Sequence, residues 1–497
     1  MFNLTQTIGV QENYGKLELL IDGKWQVSRS GENQRVYDPG TGAAIAEVPF
    51  ATREEAKLAV ETSQVAFEKW SRLPILERVK FLFKMKSALE THFEELSAIN
   101  TQNHGKTIDE SRGELRRAIE NVESAISTAY TLSKGETFDQ IAEGIDESSV
   151  KEPLGVFAIV CPFNFPLMVP FWFIPYALVL GDTLVLKPSE LDPLSTTLAA
   201  RFIQKETGLP PGVLNLVQGS KEAVEALISH DDVKGVTFVG STPVAKRVYK
   251  LAGEYGKRAI VNGGAKNSIV VMPDAQIDST ISPIISSFFG NSGQRCLAGA
   301  NLIPVGEETH EKLTKKFTSA AGSLKVGYGL DSSTDMGPVV SKTSKDRILT
   351  YVDRGLSEDA KLVSDGRNLG VEGFPLGFYI GPTIFDRVTS DMSIAKEEIF
   401  GPVASVGEAG TLEKAIEIIN SNTNFGNMAC IFTSSGSSAR RFKREVNAGN
   451  IGINLGVAQP ASNFPFGGRR DSFYGILHAQ IDTVDFFTDK KVVISRW

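Results

Sequence analysis

Cysteine is almost missing from this chain: Cys161, Cys296 and Cys430 are the only three among 497 residues. An odd, sparse set is a poor disulfide framework, so reduced thiols in a cytosolic protein are the expectation. Histidine is equally thin. His92, His104, His230, His310 and His478 form no HxxxH or HExxH pair, and no CxxC occurs, so no protein-held zinc site is expected. Positive charge is in deficit, with 52 Lys and Arg against 59 Asp and Glu and a formal net charge of -7. That balance argues against nucleic acid or an anionic membrane as a main partner, while a local basic pocket for a small anion stays open. The segment Met1 to Tyr14 has neither an apolar h-region nor an Arg-rich amphipathic pattern, so no export or transit signal is expected and a cytoplasmic location is. The one long apolar stretch, Phe163 to Leu180, contains Asn164 and is interrupted by Pro166, Pro170 and Pro175. A buried helix beneath a sheet fits it better than a membrane span.

What is present is ordinary globular composition, 41% hydrophobic and 22% charged, on a chain too long for one core. Leu17 to Val48 holds short strand-like runs broken at Asp22-Gly23 and Asp38-Pro39-Gly40. From Thr52, a helix N-cap candidate, to about Leu132 the apolar spacing is helical. Gly135 to Val150 is polar and extended, and interrupts two better-ordered regions like a projecting arm. Strand candidates Val156–Cys161, Thr183–Lys187, Val213–Val217, Gly235–Val239 and Ala259–Val261 then alternate with helix candidates Leu167–Val179, Ser195–Glu206, Lys221–Ser229 and Thr242–Tyr255. This alternation predicts a parallel sheet with a ligand site at the carboxyl ends of its strands. A second α/β block follows from Ser268 to about Ser435, and the β-branched run Val492-Val493-Ile494 predicts a last strand in need of a partner.

No GxGxxG follows the strand ending at Val239. Instead Gly240-Ser241-Thr242-Pro243 makes a Gly turn and a helix start, whose free amides suit an anion such as pyrophosphate. Lys187 and Glu190 stand past the end of a neighbouring strand, where they can bond ribose hydroxyls or simply form a solvated pair. Cys296 follows Gly293-Gln294-Arg295. A cation and helix amides both lower a thiol pKa, although a buried, inert cysteine fits the same spacing.

Six motifs in order resemble the aldehyde dehydrogenase superfamily over nearly the full chain: Pro162-Phe163-Asn164-Phe165-Pro166, Lys187-Pro188-Ser189-Glu190, Phe238-Val239-Gly240-Ser241-Thr242, Gly293-Gln294-Arg295-Cys296, Glu397-Glu398-Ile399-Phe400-Gly401-Pro402 and Phe464-Pro465-Phe466-Gly467-Gly468. The resemblance implies a Rossmann-type parallel-sheet cofactor domain, an α/β catalytic domain and a small β oligomerisation arm. The expected extents are 1–134 and 151–262 for the first, with a return segment at about 440–470, then 263–439, and 135–150 with 471–497. It implies Cys296 as nucleophile, and the Asn164 side chain with the Cys296 N–H as oxyanion hole. Phe163, Lys187, Glu190, Gly240, Ser241, Glu398 and Phe400 would hold the cofactor. A carboxylate at Glu190 favours NAD over NADP. Homodimers or tetramers are the family expectation.

Within the superfamily the chain is similar to the CoA-acylating malonate and methylmalonate semialdehyde dehydrogenases. Asn262, in Val261-Asn262-Gly263-Gly264-Ala265-Lys266-Asn267, stands where the superfamily usually has a Glu base. An amide cannot take a proton from water, whereas a thiol acceptor such as CoA needs less help. The branch also implies Arg117 and Arg295 as carboxylate-binding residues, which a guanidinium fork suits. Arg117 can instead pair with Glu114 or Glu120 on a helix face. Ser268 and Arg469 depart from the branch pattern and leave the exact substrate open. Two other functions remain open at this point: an enzyme releasing free acid, and a silent NAD-binding relative.

Overall fold

A computed structural model describes residues 8–497. The first seven residues of the Met1–Tyr14 segment read for export lie outside the described residues. The predicted alternation becomes an eight-stranded sheet in the order Lys24–Gln26, Leu19–Ile21, Leu214–Leu216, Thr183–Lys187, Val156–Val160, Val233–Val239, Arg258–Asn262, Phe473–Tyr474. From Leu214–Leu216 to Arg258–Asn262 the neighbours are parallel. The edges are antiparallel. Side chains along a strand alternate faces, and here the two faces serve two cores. Phe157 and Ile159 join one cluster, with Leu82, Leu115 and Leu178. Val156, Ala158 and Val160 join another, with Ala56, Val60, Leu227 and Val248. Burial on both faces is why these strands read as unbroken apolar runs.

Helix starts follow local chemistry. Thr52 Oγ1 accepts from Glu55 N at 3.2 Å while Glu55 Oε2 accepts from Thr52 N at 2.8 Å, closing a capping box on Arg53–Trp70. Thr107 and Glu110 repeat the device on Ile108–Thr131. The helix expected over Leu167–Val179 splits into Met168–Phe171 and Ile174–Leu180. Pro175 has no N–H to give Phe171, so the first turn cannot propagate through it.

A seven-stranded sheet forms the second block: Lys361–Ser364, Thr383–Asp386, Val403–Val406, Gly299–Pro304, Asn267–Val271, Met428–Phe432, Asn450–Ile453. Its last strand corrects one expectation. The 440–470 segment does not return to the first sheet, because Asn450–Ile453 pairs in parallel with Met428–Phe432. The C-terminal piece also divides. Phe473–Tyr474 edges the first sheet, and only Thr488–Arg496 enters the arm. There it pairs with all of Ile145–Pro153, from Thr488↔Pro153 to Arg496↔Ile145, and Glu136–Ala142 completes the three strands. Arg258 Nη1 docks the base of the arm by donating to the carbonyls of Asp485, Phe486 and Thr488. No helix among the described residues is long and apolar enough to cross a membrane.

The capping box should be measurable. Thr52→Ala removes one N-cap acceptor and should cost about 1 kcal/mol, seen as a lower urea midpoint with unchanged slope.

Candidate active site

The nucleophile loop leaves the helix Ile277–Phe289 through a short 3-10 turn, Gly290–Gly293. Asn291, Ser292 and Gly293 all have positive φ, at 54°, 52° and 71°, which costs L residues energy and marks a constrained turn. Gly293 has no alternative, because a Cβ there would stand 2.2 Å from the Gly401 carbonyl. The two motif loops, around Cys296 and around Glu398, cross at that contact. Behind them the second sheet supplies the anchor. The Cys296 carbonyl accepts from Asn267 Nδ2 at 2.9 Å and Asn427 Nδ2 at 2.7 Å. Both amides sit at the amino ends of parallel strands.

Asn164 approaches from the first domain. Its Nδ2 donates to the Gln294 carbonyl at 3.0 Å, two residues before the nucleophile. Asn164 and Cys296 share the wall of one cleft of 740 Å³ at the carboxyl ends of the first sheet. Phe163, Lys187, Glu190, Gly240, Ser241, Glu398 and Phe400 line the same cleft. Residues from 163 to 400 are thus brought to one place. Lys187 Nζ bonds Glu190 Oε2 at 2.7 Å. Burial pushes the Glu190 carboxyl up, but the Lys187 ammonium outweighs it and holds the group below the usual range. Ser241 N-caps Thr242–Glu254 without any side-chain cap bond, so the helix amides are left for an anion in the cleft. Phe163 and Phe400 meet edge to face, centroids 5.8 Å apart. A second cavity of similar size, 730 Å³ beside Arg387 and Lys414, holds no cysteine or histidine.

The charge pattern differs from the expectation for the thiol. Burial pushes Cys296 up to about 12, the Glu398 carboxylate adds to the rise, and the Cys296 and Leu297 amides and Arg295 oppose it without winning. Glu398 is itself pushed up to about 7 by burial, against the pull of the Ala265 N–H, Arg347 and Lys266. Its Oε1 accepts from Ala265 N at 2.7 Å. Lys266 is pushed down to about 7 by burial, with Glu398 and Glu397 opposing. Low-dielectric surroundings disfavour each charged form, and that is the dominant cause at all three.

Neither expected arginine lines the cleft. Arg117 lies on Ile108–Thr131 with its Nη1 on Glu120 at 2.8 Å and its side chain 41% exposed. Arg295 Nη2 bonds Glu110 Oε1 at 2.8 Å. That same oxygen accepts from Asn291 N at 2.5 Å, so one carboxylate caps a helix and braces the nucleophile loop. Sequence reasoning missed Glu110, Asn267, Asn427 and Lys266. Glu110 left a signal, three residues after the cap Thr107, and Lys266 and Asn267 stood in the stretch read for Asn262 without a role of their own. Asn262 is buried, and its Nδ2 has no hydrogen-bond partner among the described residues. All three cysteines are free, and no cluster of three metal-ligating side chains occurs among the described residues.

Comparison with known proteins agrees with this geometry. The model of the aldehyde dehydrogenase family matches residues 25–493. Malonate-semialdehyde dehydrogenase 2 of Geobacillus kaustophilus (strain HTA426) is 46% identical over 494 residues, 99% of this chain and 100% of the relative. A malonate-semialdehyde dehydrogenase of Halalkalibacterium halodurans is 43% identical over 483 residues, 97% of this chain and 98% of the relative. The crystal structure of a methylmalonate-semialdehyde dehydrogenase from Oceanimonas doudoroffii superposes with a TM-score of 0.95 at 40% identity, covering 97% of this chain and 98% of that one. A Sinorhizobium meliloti 1021 structure, described as a methylmalonate-semialdehyde dehydrogenase complexed with NAD, has the same TM-score at 38% identity, with the same coverage. With a cleft that gathers five of the six motif loops and a family match running almost end to end, the chain belongs to the aldehyde dehydrogenase family.

Proposed function

We propose that this protein oxidises malonate or methylmalonate semialdehyde at Cys296 and passes the decarboxylated acyl group to CoA, giving acetyl-CoA or propionyl-CoA. The observation that carries the acyl-transfer half is Asn262, a neutral amide where a hydrolytic enzyme needs a base. The similarity to malonate-semialdehyde dehydrogenases along the whole chain supports the substrate. The cleft fits NAD. Lys187 and Glu190 suit the adenosine ribose, Gly240, Ser241 and the uncapped helix the pyrophosphate, and Glu398, Phe163 and Phe400 the nicotinamide end. An anionic Glu190 repels a 2′-phosphate and so selects NAD over NADP. Bound NAD supplies the hydride acceptor.

Cys296 Sγ adds to the aldehyde carbon, and its proton leaves to solvent through the cleft. The oxygen of the adduct takes hydrogen bonds from Asn164 Nδ2, released from the Gln294 carbonyl, and from the Cys296 N–H. Loss of hydride leaves a thioester on Cys296. Loss of CO2 from its β-carboxylate moves the electron pair into a thioester enolate, held by the same two donors, which is then protonated. The CoA thiolate attacks the thioester carbon and Cys296 leaves. General-base help is worth roughly 10²–10⁴-fold, which water forfeits at Asn262. A thiol near roughly pKa 8.5 is already partly ionised at neutral pH and needs less of it. Arg117 and Arg295 are the carboxylate ligands in this reading although both lie outside the cofactor cleft, so the incoming carboxylate must draw them from Glu120 and Glu110. The arm, with Phe138, Val492 and Ile494 exposed, is where a second subunit would pair.

Malonate semialdehyde should drive NADH formation only with CoA present, and mass spectrometry should identify acetyl-CoA and CO2; equal turnover to free acid without CoA would sink the reading. Arg117→Leu and Arg295→Leu should each raise the KM for the semialdehyde by about 10-fold or more, as expected for a lost charged hydrogen bond, while a neutral aldehyde such as propanal should be little affected. Iodoacetamide should label Cys296 at a rate rising about tenfold per pH unit from pH 6 to 9 without a plateau, because the thiolate is the nucleophile and the thiol stands near 12. Glu398→Gln removes the opposing carboxylate and should speed the labelling, checked by intact-mass time courses.

A further inference from the structure

Beneath the Asn164 loop, and apart from the cleft, lies a charged cluster sealed from solvent. The side chains of Lys106 and Glu114 are both 0% exposed, with Nζ and Oε2 2.5 Å apart. A buried ion pair is weak evidence of stabilisation, because desolvation offsets the attraction. Its contacts are more informative. Lys106 Nζ also donates to the backbone carbonyl of Asn164 at 2.8 Å and stands 4.7 Å from the centre of the Phe165 ring. Glu114 Oε1 accepts from Leu167 N at 2.7 Å and Met168 N at 3.0 Å, and its Oε2 accepts from Asn100 Nδ2 at 2.9 Å. Two side chains therefore hold the loop at 164, 165, 167 and 168. The other contact to the Asn164 carbonyl is a longer one, 3.3 Å from Asn291 Nδ2.

Asp192 and His104 complete the cluster. Burial, with Glu114 adding to it, pushes the Asp192 carboxyl well above its usual range despite Lys106. Burial, then Lys106 and Arg295, hold His104 well below the usual histidine range.

We propose that Lys106, held by Glu114, is a positioning residue that fixes the Asn164 amide as an oxyanion donor beside Cys296. It acts through the Asn164 backbone and touches neither aldehyde nor cofactor. This rests on the roles given above to Asn164 and Cys296, but on no particular aldehyde substrate and not on CoA.

The test follows para-nitrophenyl acetate, whose acylation of Cys296 releases nitrophenolate in a burst and develops the same oxyanion without NAD or CoA. Lys106→Met alone strands the Glu114 charge and can fail to fold. The Lys106→Met/Glu114→Gln pair removes both charges and keeps an acceptor for Leu167 and Met168. In the pair variant the burst should slow about 10²–10³-fold, the usual loss for one oxyanion donor, while iodoacetamide labelling of Cys296 and the urea midpoint stay close to the parent. Asn164→Ala should slow the burst equally, and adding it to the pair should cost nothing further, since both remove one donor. A normal burst in the folded pair variant with a slow one in Asn164→Ala would overturn the role of Lys106 alone. A normal burst in Asn164→Ala would overturn the oxyanion reading and this inference with it. Equal losses of burst and labelling in the pair variant would mean general damage to the thiol, and would overturn positioning.

Discussion

The carbonyl of Cys296 is the fixed point of this molecule. Asn267 and Asn427 hold it from neighbouring strands of the second sheet, and Asn267 Oδ1 accepts from Met428 N to lock that amide in turn. Two donors fix the Cys296–Leu297 peptide plane to the sheet, and Ala298 N, donating to the Arg295 carbonyl at 3.0 Å, holds the preceding plane that carries the Cys296 N–H. On the other side the left-handed turn Asn291–Gly293 is pressed against Gly401. The strain there is tolerated because Glu110, Gly337 and Val340 bond the turn from outside. The first domain then needs only to bring Asn164 and the cofactor loops to this point, and the parallel sheet does so by ending its strands at the same edge.

That arrangement sets an electrostatic conflict at the nucleophile. A dry site strengthens every oriented dipole and so favours oxyanion stabilisation. The same dryness disfavours the thiolate that must start the reaction. Arg295 stands next to the cysteine in sequence and opposes the rise, but it is paired with Glu110 and burial outweighs it. Lys266 is buried, Glu398 and Cys296 are half-buried, and burial disfavours the charged form of each.

Much of this was legible in the residues. Thr183–Lys187 and Lys221–Ser229 were read with the bounds they have in the fold, because the first is an apolar run and the second an amphipathic helical pattern, each bounded by turn residues. The cleft residues from Phe163 to Phe400 were named from motif order. The helix split at Pro175 and the placement of Asn450–Ile453 were missed. The first depends on one absent N–H, the second on a sheet whose partners lie far away in sequence. The Glu110–Arg295 and Lys106–Asn164 contacts span 185 and 58 residues, and nothing in local spacing encodes them. The direction of the thiol shift stays open in the sequence for a related reason: charge is visible there, but the burial that outweighs it here is not.

The buried cluster under Asn164 also bears on why Asn262 can be tolerated. An oxyanion hole lowers the barrier for any acyl acceptor, whereas a general base helps mainly an acceptor that must lose a proton during attack. Here the donors are braced from both sides: Asn164 by Lys106 and Glu114, and the peptide planes on either side of Cys296 by Ala298 N on the Arg295 carbonyl and by two amides on the Cys296 carbonyl. The base position, by contrast, carries a buried amide whose Nδ2 has no partner among the described residues. A site built that way discriminates by the acceptor's own acidity. Thiolate succeeds because it arrives deprotonated, and water fails because nothing takes its proton. Release of the acyl group would then follow from what the site omits as much as from what it holds in place.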